Sequence, residues 1–150
     1  MSFYSRRQKR LKLIDTMIKY YNLGNVNVSF VPTILEENFN RIIKRRKSIK
    51  YTGKTFIRNN TLGEYIFDTN SIRISESMNQ DDDEFLMTVL HELKHSEQSL
   101  RLGTNKFKRE YFDETDRLVE IGLDGYENNK FEREAEAFAS QEYKRWKRYL

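Results

Sequence analysis

The chain has 150 residues, 33% of them charged, with a net charge of +4, two histidines and no cysteine. This length suits a single domain able to bury a core without staples. The lack of cysteine excludes disulfides, cysteine-ligated zinc and a thiol nucleophile, and fits a reducing compartment. No apolar run could span a bilayer, and Met1 to Arg10 lacks the apolar core of a signal peptide, so the expectation is a cytoplasmic protein without a membrane partner.

Charge is unevenly spread. Residues 1–50 carry twelve Lys/Arg against three Asp/Glu, and residues 51–150 carry fifteen against twenty. The domain therefore divides into a basic N-terminal helical part, about 1–50, and a motif-bearing part, about 51–150. The basic runs at residues 6–12 and 41–50 are either solvated helix faces or a contact for nucleic acid or an acidic partner.

In chain order, Leu11, Ile14, Ile18 and Tyr21 keep a helical period over about 4–21, ended by Asn22-Leu23-Gly24. Residues 26–31 alternate like a strand and stop at Pro32. Leu35, Phe39, Ile42 and Ile43 suggest a second helix carrying the basic run. Three short β-prone runs follow, Lys54–Ile57, Glu64–Phe67 and Ser71–Ser75, separated by Asn- and Asp-containing turns; they predict a small antiparallel meander with Ser71–Ser75 as an exposed edge strand. Asp81-Asp82-Asp83-Glu84 then opens a helix that runs to about Leu102-Gly103, the acids lying at its positive dipole end. A last helix is expected after Asn129.

Both histidines of the chain fall in the middle of that acid-capped helix, in His91-Glu92-Leu93-Lys94-His95. The i, i+4 spacing stacks two imidazoles on one face, where both can bind one metal ion, with Glu92 beside them; this is the H-E-x-x-H pattern of zinc peptidases. Leu86, Val89, Leu90, Leu93 and Leu100 form an apolar stripe on the roughly opposite face, suited to packing on the sheet. A catalytic zinc normally has three protein ligands, and with no further His or Cys the third must be a carboxylate. In Phe131-Glu132-Arg133-Glu134-Ala135-Glu136-Ala137-Phe138-Ala139, read as a helix, Phe131, Ala135, Phe138, Glu142 and Trp146 share a face. Glu134 lies at its edge, while Glu132 and Glu136 point about 160° away from Glu134, toward solvent. Glu134 is thus the expected third ligand.

The pairing of His91-Glu92-Leu93-Lys94-His95 with Glu134-Ala135-Glu136-Ala137-Phe138-Ala139 resembles the minimal gluzincin-type zinc metallopeptidases of the ImmA/IrrE-like group, found in phages and mobile elements. The likeness covers about residues 64 to 140 and leaves the first 60 unmatched. It implies a zincin-like α+β fold in which the meander packs against the active-site helix, with additional N- and C-terminal helices. It also implies zinc on His91, His95 and Glu134, Glu92 as general base, and a protein or peptide substrate; since some members cleave a repressor, DNA-binding regulators are the substrate class suggested. The chain departs from the wider clan in two ways. Thermolysin-like enzymes place an Asp four residues after the ligand Glu, where this numbering has Phe138, and Lys94 replaces the small Gly common before the second histidine.

The expected reaction is peptide hydrolysis by metal-activated water, with Glu92 taking the proton and passing it to the leaving amine. An oxyanion donor besides the metal must be Tyr, Arg, Lys or a backbone N–H, and Tyr126 and Tyr111 lie between the ligand segments. The edge strand would offer its backbone to an extended substrate. Two other classes remain open: a zinc-binding but non-hydrolytic sensor associated with nucleic acid, and a phage structural protein on a zincin scaffold.

Overall fold

The computed structural model describes residues 3–34, 42–46 and 61–150. Its elements are α1 (Phe3–Tyr20), β1 (Asn27–Val31), β2 (Ile42–Arg46), β3 (Thr61–Ile66), β4 (Ser71–Ser75), α2 (Asp82–Leu102), α3 (Thr104–Glu120) and α4 (Lys130–Lys147). The class is α+β, with four helices and a four-stranded mixed sheet among the described residues. No helix among them is long and apolar enough to cross a membrane.

The sheet order is β1-β4-β3-β2, with β1 parallel to β4 and the other pairs antiparallel. Two rows of aligned residues, Phe30, Ile74, Gly63, Arg45 and Val28, Ile72, Tyr65, Ile43, share one face because strand side chains alternate. That face meets α2: Ile43, Tyr65, Ile72 and Ile74 join Phe85, Leu86, Val89, Leu90 and Leu93 in one core. The opposite face carries a polar row, Ser29, Arg73, Glu64 and Lys44, in which Arg73 donates to the cross-strand Glu64.

Three expectations change here. Ile42 and Ile43 belong to a strand, because their β-branched side chains pair antiparallel with Ile66 and Tyr65; Leu35 and Phe39 lie outside the described residues, as does Lys54–Ile57. The sheet is mixed rather than a simple meander, since β1 adds in parallel. For the same reason Ser71–Ser75 is an interior strand, hydrogen-bonded on both sides, and cannot accept a substrate backbone. Among the described residues the sheet edges are β1 and β2.

Helix α2 starts where Asp81 Oδ1 accepts from the Glu84 N–H at 3.0 Å, with three acids in its first turn. It ends where Gly103, at φ +87°, donates its N–H to the Ser99 carbonyl; the positive φ is inexpensive only for glycine. Between these caps the helix is enclosed on more than its apolar stripe. Thr88, His91, Glu92, His95, Ser96 and Gln98 are buried as well, whereas Leu100 is 64% exposed and leaves the stripe. The close approach of sheet and helix depends on Gly63, where a Cβ would lie 2.8 Å from Thr88 Cγ2 and 3.4 Å from Glu92 Cγ.

Asn129 sets α4 against the rest. Its Oδ1 caps the helix at the Phe131 N–H (2.9 Å), and its Nδ2 donates to the Tyr111 carbonyl and to Thr115 Oγ1 on α3, each at 3.1 Å. Fully buried Ala135 and Ala139 let α4 lie closely along α2. At the other end Trp146 Nε1 donates to Tyr21 Oη (2.7 Å), which donates to Glu142 (2.8 Å), tying α4 to the loop after α1.

Candidate metal centre

His91 and His95 project from one face of α2 with their Nε2 atoms 3.2 Å apart. Two nitrogens on one tetrahedral zinc, each about 2.05 Å from it, would be about 3.3 Å apart. The third group at that point is Glu132. Its Oε1 lies 2.5 Å from His95 Nε2 and its Oε2 lies 3.5 Å from His91 Nε2. His91, His95 and Glu132 are all buried, and one ligand atom from each falls within 4.8 Å of the others.

Glu134, the expected ligand, is elsewhere. Its carboxylate is 42% exposed, and its Oε1 accepts from Arg101 Nη2 at 2.6 Å and from Gln98 Nε2 at 3.1 Å. The reason is the rotation of α4. With its buried face centred on Ala135, Glu132 and Glu136 stand about 60° and 100° to one side, and Glu134 about 100° to the other. The periodicity offers both edges of the buried face; the lengthwise packing of α4 on α2 places the histidines at the Glu132 edge. The repeat Glu132-x-x-Ala135-Glu136 carried the usable signal, because two carboxylates one turn apart match two imidazoles one turn apart.

Each ring also has an oxygen at Nδ1. For His95 it is Gln98 Oε1, at 2.8 Å. For His91 it is Glu136 Oε1, at 2.6 Å, a close contact lying off the line of an ideal N–H bond. Counted from Glu132, the residue four positions on is the carboxylate Glu136, where counting from Glu134 gives Phe138. Glu136 is held in turn by Arg45 of β2, whose Nε donates to it at 2.8 Å while Nη1 donates to Glu84 Oε1 (2.7 Å) and Thr88 Oγ1 (2.9 Å). Sequence gave no hint of Arg45, which lies forty-six residues before His91 and reaches the site only through strand pairing.

The donor set fits a divalent cation. Glu92 and Glu132 are buried to 0% and 2% exposure, and no aligned hydrogen-bond donor reaches any of their carboxylate oxygens. Two buried carboxylates facing only two histidines are costly, and a dication on the imidazoles would offset both charges. The groups already respond to one another. Burial disfavours charge on His91, but Glu132, Glu136 and Glu92 outweigh it and raise the imidazole pKa; burial likewise opposes charge on Glu132, and the two histidines outweigh it and lower the carboxyl. Burial lifts Glu92 to about 7, with the histidines opposing and Glu132 assisting.

Tyr126 and Tyr111 border this cluster. Burial, reinforced by Glu132, Glu92 and Glu136, holds the Tyr126 phenol far above its usual pKa; burial and Glu132 do the same for Tyr111, whose ring packs against Phe107 and Phe131. Both remain neutral O–H groups. Lys94 lies to one side, its ammonium 3.2 Å from Glu97 and 5.0 Å from the centre of the Phe138 ring. Of the basic runs, Arg6 and Arg10 reach Asp82, Arg7 pairs with Glu76, and Arg45 is engaged as above, whereas Lys9 and Lys12 are exposed. Arg41, Lys47 and Lys50 lie outside the described residues.

No family model matches this chain, nor does any curated protein or solved structure. The metal-centre reading therefore stands on the geometry of its own residues.

Proposed function

We propose that the chain is a zinc-dependent metallopeptidase of the minimal gluzincin type, similar to the ImmA/IrrE-like group, with His91, His95 and Glu132 as ligands. The observation that carries this reading is the convergence of two Nε2 atoms and a buried carboxylate on one point, beside a second buried carboxylate that no protein donor satisfies. When bound, zinc in such a site supplies a Lewis acid and lowers the pKa of a water ligand.

Glu92 is the general base. It follows His91 directly on α2, and its buried carboxylate, whose two oxygens no aligned protein donor reaches, is free to take a proton from the attacking water and return it to the leaving amine. Glu136 and Gln98 orient the two imidazoles. As oxyanion donor we name Tyr126, a neutral hydroxyl on the segment between α3 and α4 that leads into the helix carrying Glu132. The substrate is a protein or peptide, with DNA-binding regulators as the first class to test, and the exposed Lys9 and Lys12 are available to nucleic acid or an acidic partner.

A second reading is favoured by burial. His91, Glu92 and His95 have at most 1% exposure, which suits a metal-holding module without turnover and obliges a peptidase to open before substrate reaches Glu92. One experiment separates the two. Zinc content is measured for wild type, Glu92→Gln and His91→Ala, and the first two are compared on an unfolded protein and on candidate repressors. The peptidase reading expects stoichiometric zinc in wild type and in Glu92→Gln, with cleavage by wild type only. Stoichiometric zinc with equal absence of cleavage selects the non-hydrolytic role, and undiminished zinc in His91→Ala sinks the site itself.

A further inference from the structure

The last turn of α4 and the two residues after it read Lys144-Arg145-Trp146-Lys147-Arg148-Tyr149, a basic run interleaved with aromatic rings. It takes no part in the metal centre, since Arg145 stands about 20 Å along the helix from Glu132. Trp146 is buried and forms the floor of an aromatic cluster. Its ring centroid lies 5.3 Å from that of Tyr20, the last residue of α1, and 5.7 Å from that of Tyr149. The two tyrosines flank the indole and are half exposed, Tyr20 at 53% and Tyr149 at 48%. The Tyr149 N–H donates to the Trp146 carbonyl at 3.1 Å and holds that ring back against the helix. An exposed guanidinium lies over each tyrosine: Arg145 Cζ is 5.0 Å from the Tyr20 centroid, and Arg148 Cζ is 5.1 Å from that of Tyr149.

The basic surface continues along α1. At about 100° per residue, Lys9, Lys12, Thr16 and Tyr20 fall within about 80° of one another, and all four are exposed. Leu13, Ile14 and Met17 turn the other way, into the core. Acids stand at the margins. Asp15 flanks the α1 stripe, and Glu142, 3.5 Å from Arg145, is turned toward the Tyr21 hydroxyl at 2.8 Å.

Cations alone attract any polyanion, and a chain of net charge +4 does so without selectivity. The exposed rings narrow the choice. A tyrosine face and a guanidinium plane both stack on a nucleobase, and a duplex keeps its base faces covered, so the matching ligand is a single strand. A helix that lies on lipid turns its large apolar side chains outward, whereas here Leu13, Ile14, Met17 and Trp146 are all buried. We infer that Tyr20 and Tyr149, with Arg145, Arg148, Lys9 and Lys12, form a platform for single-stranded nucleic acid, the rings stacking on bases and the cations neutralising phosphates.

The experiment is fluorescence anisotropy of the full chain with labelled oligothymidylate, oligouridylate and a duplex of oligothymidylate with oligodeoxyadenylate, beside co-sedimentation with phosphatidylserine–phosphatidylcholine vesicles. Single-stranded DNA or RNA is expected to bind in preference to the duplex. Its log K should fall against log salt with a slope of about −3, as four neutralised phosphates give on a single strand. Arg145→Gln combined with Arg148→Gln should reduce that slope to about −1.5. Tyr20→Ala and Tyr149→Ala should each weaken binding about 5-fold or more, and Tyr20→Phe and Tyr149→Phe should retain it, because the ring does the stacking. Tyr149 lies beyond the end of α4, so Tyr149→Ala keeps the test decisive if Tyr20→Ala fails to fold. The inference is overturned by absence of binding at low salt, by a duplex bound as tightly as a single strand, by unchanged affinity in folded Tyr149→Ala, or by capture on vesicles without oligonucleotide binding. Binding is read here without metal or cleavage, so loss of the peptidase reading leaves the platform standing, and loss of the platform leaves the metal centre untouched.

Discussion

Glu132→Gln and Glu134→Gln distinguish the two edges of α4 directly. Glu132 is 2% exposed and lies against both Nε2 atoms, at 2.5 Å and 3.5 Å, so its amide replacement keeps the shape of the site and removes the anion that would close it. Four-ligand zinc sites in small peptides bind with about 10–16 kcal/mol, or roughly 3 kcal/mol per ligand. Losing one anionic ligand should therefore weaken zinc binding about 100-fold or more. At Glu134 the carboxylate is 42% exposed and touches no histidine. Its amide can still accept from Gln98, so the change in affinity should stay below about threefold. The assay is competition against a chromophoric chelator at fixed pH and ionic strength, with circular dichroism to show that each variant is folded. A larger loss for Glu134→Gln than for Glu132→Gln would mean that the Glu134 edge of α4 faces the histidines, and no loss in either would refute closure by a carboxylate of α4.

Other substitutions test the frame around the site. Gly63→Ala puts a methyl 2.8 Å from Thr88 Cγ2 and should cost about 1–3 kcal/mol in urea unfolding, with most of the loss recovered by adding Thr88→Ser; an unchanged midpoint would refute the close seating of β3 on α2. Tyr21→Phe removes the hydroxyl between Trp146 Nε1 and Glu142 and should destabilise by about 1–2 kcal/mol, because the indole N–H loses its acceptor. A loss within error would show that the link between α4 and the α1 end is not formed. Arg45→Lys should lower stability by about 1 kcal/mol after allowing for solvent screening, since one ammonium cannot span Glu136, Glu84 and Thr88 as the guanidinium does. The same variant should weaken zinc binding several-fold by loosening Glu136 behind His91, and wild-type affinity would remove Arg45 from the site.

Local pattern by itself determined the parts of this protein that depend on one element at a time. The acids of Asp81 to Glu84 and Gly103 bound α2, the alternation in Asn27–Val31 and Ser71–Ser75 marks two strands, and the four-residue spacing of His91 and His95 puts both rings on one face with Glu92 beside them. Counting histidines and cysteines also determined that a third ligand had to be a carboxylate. Tertiary structure decided whatever needs two elements to meet. Ile42 and Ile43 have a spacing that serves a helix or a strand, and pairing with β3 selects the strand. Ser71–Ser75 reads as an edge until β1 joins it in parallel. A helix with alanines at its centre has a glutamate at each edge of its buried face, and periodicity cannot say which edge looks at the histidines. The packing of α4 on α2, set by Asn129 on α3 and Ala135 and Ala139 at the seam, turns Glu132 and Glu136 inward and leaves Glu134 to hold Gln98 from outside.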